Sequence, residues 1–318
     1  MPGPKTHDIF YCQIKQLLLP ETLSRYPHYD DYRLFAQGHD FLIYYDFYKL
    51  WKLNRNIAES VKLQEQSFQA FICEFLLTAK ANGALEEEQT RLFIGPGYIL
   101  HHVLDSYAHP LIIHYAGDHT RSKENATWKH GIIETLLDAY LMENMEGVDP
   151  KTHRAYEDFE FDGQALSSKL LQTLDESLYK VYGIVGGGQK FKKGIHQTGT
   201  FMRLMKYDPH GRKKWVFDLL DPIAKGTSSF SYHVNAKDAQ PYLNMGRNAW
   251  ANPADSSVCS NKSFLDLYEE ALAEGAEIVN ALERLYQQET LRREDICAII
   301  PNKSSTSGLE CISTQGGI

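Results

Sequence analysis

Long apolar runs are missing from this 318-residue chain. The nearest approach, Phe71-Ile72-Cys73 with Phe75-Leu76-Leu77, is interrupted by Glu74, so nothing reaches the roughly 18 consecutive apolar residues of a transmembrane helix. Cysteine is scarce. Cys12, Cys73, Cys259, Cys297 and Cys311 are odd in number, far apart and without a CxxC pair, which argues against both a disulfide scaffold and a thiolate zinc site. Positive charge is in deficit: 33 Lys+Arg against 41 Asp+Glu give a net charge of −8. Broad coating of nucleic acid needs a basic stripe and is not expected. The opening residues, from Met1 to Phe10, contain neither an apolar core nor a small-residue cleavage site, so no secretory signal is read there and the expected location is cytoplasmic. Strand alternation never persists, and no internal repeat of about 20–50 residues is visible.

What is present is helical periodicity. Ile9, Phe10, Ile14, Leu17 and Leu18 recur at spacings of three and four up to Pro20. An aromatic stretch, Phe41–Leu53, carries Tyr44, Tyr45, Phe47, Tyr48 and Trp51, expected mostly as core with a pocket-lining role as the alternative. A stripe of Phe68, Phe71, Ile72, Phe75, Leu76 and Ala79 closes at Asn82-Gly83. A further helix is expected from Leu85 to Ala108, kinked or split at Gly95-Pro96-Gly97 and ended by Pro110. Helices are also expected over 127–144, 166–182, around His196–Lys206, and over 263–286 with Ser263 and Asp266 at capping-box spacing. Residues 225–260 read as one long ordered loop and 302–318 as a disordered tail. The fold class is all-α: a single helical domain over 1–301, with a metal-site half at 5–145 and a helical extension at 151–301.

The 13 histidines are the unusual part of the composition, and two groups of them carry chemistry. His101, Asp105 and His109 are successive i, i+4 neighbours, each step advancing about 40° around the helix axis, so three metal-capable side chains point one way over two turns. His130 and Glu134 repeat the spacing on the next expected helix. Imidazoles with carboxylates and no thiols form the ligand set of a hydrolytic zinc site. Exposed i, i+4 pairs would explain the same spacing. That alternative fits poorly, because Leu100, Val103, Leu104 and Pro110 surround the stripe. His102, Asp105 and His109 also share a face, so spacing alone does not choose between His101 and His102.

On these residues the chain resembles the zinc-dependent phospholipase C family, whose relatives include glycosylphosphatidylinositol-specific phospholipase D and the single-strand-specific zinc nucleases. The family signature, His-x3-Asp, a further His, then His-x3-Glu/Asp, falls on His101, Asp105, His109, His130 and Glu134, and favours His101 over His102. Thr6-His7-Asp8 is similar to the short Thr-His entry of the phospholipase D relatives, and Phe35-Ala36-Gln37-Gly38-His39-Asp40 places a further ligand at Asp40. The likeness covers roughly residues 5–145 and continues more weakly through Trp250–Pro253 and Ser263–Tyr268. It departs from the family at Gln64, which stands where another His is usual, with His39 as a compensating candidate.

The resemblance implies an all-α protein binding one to three zinc ions through His7, Asp40, His101, Asp105, His109, His130 and Glu134. The implied activity is hydrolysis of a phospholipid or a small phosphodiester, with Asp40 and Asp105 catalytic: Asp105 bridging two zincs, Asp40 beside the attacking water. The alternatives are a non-catalytic zinc-stabilised binding protein, motivated by Gln64, and a single-strand nuclease, disfavoured by the negative charge.

Overall fold

A computed structural model of the chain describes residues 3–49, 56, 58–60, 62–63, 68–117, 123–161, 166–222 and 227–311, with backbone alone for 123–127. The fold is all-α. Its α-helices of seven residues or more, among the described residues, are α1 (Pro4–Ile14), α2 (Phe68–Ala81), α3 (Leu100–Ala116), α4 (Lys123–Leu141), α5 (Ser168–Tyr182), α6 (Gly187–Phe201), α7 (Arg212–Leu220), α8 (Phe264–Tyr286) and α9 (Arg293–Ile299). No helix among them is long and apolar enough to cross a membrane.

Local chemistry sets the helix ends. Pro4 occupies the first turn of α1, where its missing N–H costs nothing. Ser167 accepts from the Lys169 and Leu170 amides to start α5, which ends on Gly183 in the left-handed region. The Ser263–Asp266 capping box expected from the sequence is complete in both directions at the head of α8.

One buried apolar cluster draws side chains from Ile9 through Ile300. Within it α3 packs on α8 and α4, α2 on α5, and α6 on α5. The buried Cys73 of α2 and Cys297 of α9 meet with their sulfurs 3.3 Å apart, both as free thiols, so two of the cysteines that look scattered in sequence are neighbours.

Four expectations need correction. Pro110 does not end its helix: α3 runs on to Ala116. The ring removes the amide that would bond the Ser106 carbonyl, and Gly308 lies against that oxygen instead, so close that a Cβ there would stand 2.3 Å from it. The second correction follows from the first. Residues 302–311 of the supposed tail are ordered, with an antiparallel bridge between Lys303 and Glu310 and a backbone bond from Ser304 N to Leu309 O; residues 312–318 lie outside the described set. Third, among its described residues, 41–49, the aromatic stretch is α-helical over Phe41–Tyr44; Trp51 is outside the described residues, as is Gln64. Fourth, the long loop contains 3-10 turns and a two-residue hairpin, Trp250–Ala251 with Cys259–Ser260.

The Gly95-Pro96-Gly97 segment neither breaks nor splits the helix. Phe93–Ile99 forms a wide π-helical turn that feeds into α3. Such turns absorb an extra residue and frequently mark functional positions. This one packs against the 3-10 segment Tyr29–Asp40. The contact needs Gly97, because a Cβ there would come within 2.8 Å of the Phe35 Cβ and 2.9 Å of its carbonyl oxygen. Gly97→Ala is expected to destabilise the fold by about 1–3 kcal/mol through forced separation of the two segments, read as a lower urea midpoint at unchanged m-value.

Candidate metal centre

Four pieces of chain converge at the head of α3. α1 brings His7, the Tyr29–Asp40 segment brings His39 and Asp40, α3 brings His101, Asp105 and His109, and α4 brings His130 and Glu134. Three groups have ligand atoms within 4.8 Å of one another: His7, His101 and Asp105; His39, Asp40 and His101; and His109, His130 and Glu134. Every ligand expected from the sequence is therefore in a group. The structure adds His39, which the sequence offered only as a substitute for the residue lost at Gln64.

Around Asp105 the spacing between atoms is that of ligands around a shared cation, while His130 and Glu134 are hydrogen-bonded directly. His7 Nε2 is 3.3 Å from Asp105 Oδ1, and His101 Nε2 is 3.4 Å from Asp105 Oδ2. Two ligands each about 2.0–2.1 Å from zinc and roughly tetrahedral to one another would be about 3.3–3.4 Å apart. The His7 and His101 rings stack at 3.7 Å between centroids, and His39 meets His101 edge-on at 4.6 Å. In the third group His130 Nε2 lies 2.7 Å from Glu134 Oε1, and its ring centroid is 5.4 Å from that of His109.

Tautomers are fixed from outside the cluster. His101 Nδ1 donates to the Ala36 carbonyl at 2.8 Å, and His109 Nδ1 donates to the Ser305 carbonyl at 2.6 Å. Each bond puts the proton on Nδ1 and leaves Nε2 as a lone pair aimed inward, the arrangement that orients metal-binding imidazoles. His102 differs. Its Nε2 donates to the Lys303 carbonyl at 2.9 Å and its ring stacks on Phe68 at 3.4 Å, so it is held as a core residue and belongs to none of the groups. The geometry thus separates His101 from His102, which spacing could not.

The inward atoms are left without partners. His7 Nδ1 and Nε2, His39 Nε2, Asp40 Oδ1, His101 Nε2, both Asp105 oxygens and His109 Nε2 are buried and make no hydrogen bond among the described residues. At about 1–3 kcal/mol for each orphaned polar atom, eight of them would cost on the order of a domain's entire stability, roughly 5–15 kcal/mol. A cation would satisfy nitrogen lone pairs and carboxylate oxygens together. The donor set, imidazole and carboxylate without thiol, fits zinc.

Burial dictates the protonation states. It lowers His7 and His101 to about 3 and His102 to about 4, and holds His39 and His109 well below the ordinary histidine range. These imidazoles are neutral, as ligation requires. Burial raises Asp105 to about 6 against the opposing pull of His101, and raises Asp40 strongly, with the Asp105 charge adding to the effect.

Positioning depends on residues that no motif flagged. Asp138, one helical turn beyond Glu134, accepts from Thr6 N at 2.8 Å, Thr6 Oγ1 at 2.7 Å, Lys5 N at 3.3 Å and Tyr232 Oη at 2.5 Å. A side chain of α4 thereby caps α1 and sets the place of His7. Gly3 is needed for this approach, since a Cβ there would fall 2.2 Å from Asp138 Oδ2. The Lys5 ammonium, fully buried, is neutralised by Asp8 at 2.8 Å, Glu146 at 3.0 Å and Asp158 at 2.8 Å. Gly38, at φ +52°, lies so close to His101 that a Cβ would stand 2.6 Å from its ring. The Gly-containing turn before Asp40 was legible in the sequence; the carbonyl supplied by Ser305 was not, because polar composition describes side chains and here the backbone acts.

Of the aromatics after Asp40, Tyr44 is buried with its hydroxyl 3.2 Å from Gln37 Oε1, and Tyr48 is exposed. Two lysines of α6 answer acids: Lys190 pairs with Glu59 and Lys193 with Asp46. Compared with protein-family models, curated proteins and solved structures, the chain matches none.

Two outcomes are expected. His101→Ala and His109→Ala each lower the zinc content per chain, while His102→Ala leaves it unchanged, as read by atomic emission on dialysed protein. Chelator-treated protein loses stability as pH falls from 7 to 5. Five buried histidines with lowered pKa gain protons only on unfolding, whereas two aspartates with raised pKa release theirs. The unfolded state therefore binds more protons over this window, and the urea midpoint should drop; a midpoint that rises on acidification contradicts these protonation states.

Proposed function

We propose that the protein is a zinc-dependent phosphodiester hydrolase of the phospholipase C kind, acting on a phospholipid or a smaller phosphodiester. The observation that carries this reading is the set of orphaned, inward-facing imidazole and carboxylate atoms spread over three neighbouring groups. A single structural zinc would be closed by four protein ligands; His109, His130 and Glu134 form a group of three, the pattern that leaves a position for water or substrate.

Because His101 has only Nε2 to offer, it serves one ion. Asp105 presents one oxygen toward His7 and the other toward His101, so zinc would be held here by Asp105 with His7 and by His101, His39 and Asp40. His109, His130 and Glu134 would hold a further ion. When bound, zinc supplies Lewis acidity toward a phosphoryl oxygen and toward water.

The chain's own residues do the rest. Burial and the Asp105 charge raise Asp40 and favour its protonated form; a cation held beside it would oppose both effects and leave a carboxylate able to accept a proton from the attacking water. The His130 and Glu134 side chains keep 16% and 19% exposure while His7, His101 and Asp105 keep about none. Substrate thus enters from the α4 side, and the buried ligands are shielded from bulk water behind it.

Zinc-loaded protein is expected to hydrolyse bis(p-nitrophenyl) phosphate, with activity lost on chelation and restored by zinc. Asp40→Asn should lower kcat per bound zinc by at least about 100-fold, the range for a positioned acid–base group. Zinc bound at or above one ion per chain without turnover of any phosphodiester would reduce the site to a structural role, and absence of zinc would remove the reading.

A further inference from the structure

The helix α7, Arg212–Leu220, exposes apolar side chains that a folded protein normally covers. Trp215 is 69% and Leu219 64% exposed, with Val216 and Leu220 each at 42%. Trp215 and Leu219 are i, i+4 neighbours, and Val216 and Leu220 extend the same stripe sideways. Leu204, at 56%, lies on the preceding turn Met202–Lys206, to which Lys213 Nζ is bonded through the Arg203 and Tyr207 carbonyls. The opposite side of α7 is anchored: the Phe217 ring meets Phe230 edge-on at 6.0 Å.

Charge around the stripe is reversed relative to the whole chain. Arg203, Arg212, Lys213 and Lys214 surround it, against Asp218, which pairs with Lys214, and Asp221, which accepts from Ser228 N at 2.9 Å; Asp208 nearby is buried and caps the Lys214 amide at 2.7 Å. This local positive excess stands on a molecule of net charge −8. An exposed Trp and Leu face bordered by Lys and Arg is the composition of a helix lying in the interface of an anionic bilayer.

Its location links it to the metal centre. The turn Thr227–Phe230, on which α7 rests through Thr227 Oγ1 to the Phe217 carbonyl at 2.9 Å, sits on α4. Thr135 Oγ1 donates to the Ser229 carbonyl at 2.9 Å, and Ser229 Oγ would be 3.3 Å from a Cβ on Gly131. Thr135 and Gly131 are the chain neighbours of Glu134 and His130, the two most exposed ligands. We propose that α7 seats the protein on the surface of a membrane containing anionic phospholipid, presenting the His130 and Glu134 side of the metal centre to bilayer lipid. This deepens the preceding reading, on which it rests for the substrate: phospholipid in a bilayer, not a soluble phosphodiester.

The zinc-loaded 318-residue chain is tested by co-sedimentation with phosphatidylcholine vesicles with and without phosphatidylglycerol, beside the variant Trp215→Ser/Leu219→Ser. The wild type should sediment with the anionic vesicles, less so at high salt, and the variant's partition coefficient should fall by about tenfold or more. Both side chains are exposed, so circular dichroism, zinc content and turnover of bis(p-nitrophenyl) phosphate should be the same in the two proteins. No sedimentation of the wild type, or equal sedimentation of the variant, overturns the proposal. So does a concentration-dependent dimer that the same substitutions dissolve, since a second copy would then be what covers α7. Vesicle binding is read without turnover: lost binding with intact soluble hydrolysis removes only this proposal, and intact binding without hydrolysis removes only the earlier one.

Discussion

Carboxylates and imidazole lone pairs packed together away from water are the constraint around which this molecule is arranged. Asp105 is fully buried, faces His7 and His101 through its two oxygens, and has no hydrogen-bond donor. In a low-dielectric interior such a group either takes up a proton, the direction in which burial moves Asp105, or needs a compensating charge. Neutral imidazoles do not supply one, and burial keeps them neutral. A cation bound among these groups would supply that charge.

The surrounding structure acts on placement. Asp138 caps α1 and thereby fixes His7; the Ala36 and Ser305 carbonyls turn His101 and His109; Gly38 and Gly97 let the Tyr29–Asp40 segment come close enough to reach α3. None of these residues would touch a substrate. Each removes a rotational or translational freedom that the ligands would otherwise have to lose on binding. The ion pairs of buried Lys5 with Asp8, Glu146 and Asp158 play the same part at the start of α1, where a lone ammonium would be prohibitive.

Much of this was legible in one dimension. Helical spacing named α2, α3, α4 and α8, and the capping box at Ser263 marked where α8 begins. Spacing at i, i+4 put His101, Asp105 and His109 on one stripe and paired His130 with Glu134. It failed where a local rule met a tertiary partner. Pro110 reads as a stop, yet the helix continues because Gly308 comes against the carbonyl that proline leaves without a donor. Residues 302–311 read as disordered from their Ser, Thr and Gly content, yet their backbone carbonyls hold His102 and His109.

The sequence by itself determined the fold class and the chemical kind of the centre, since periodicity and residue type act over a few neighbouring positions. Only the tertiary structure decided which ring nitrogens face inward, that His102 is core while His101 joins two of the candidate ligand groups, and that His39 joins Asp40. Those choices depend on carbonyls, glycines and a capping aspartate between 63 and 201 positions away along the chain, and residue spacing carries no information about groups that meet only when the chain has folded.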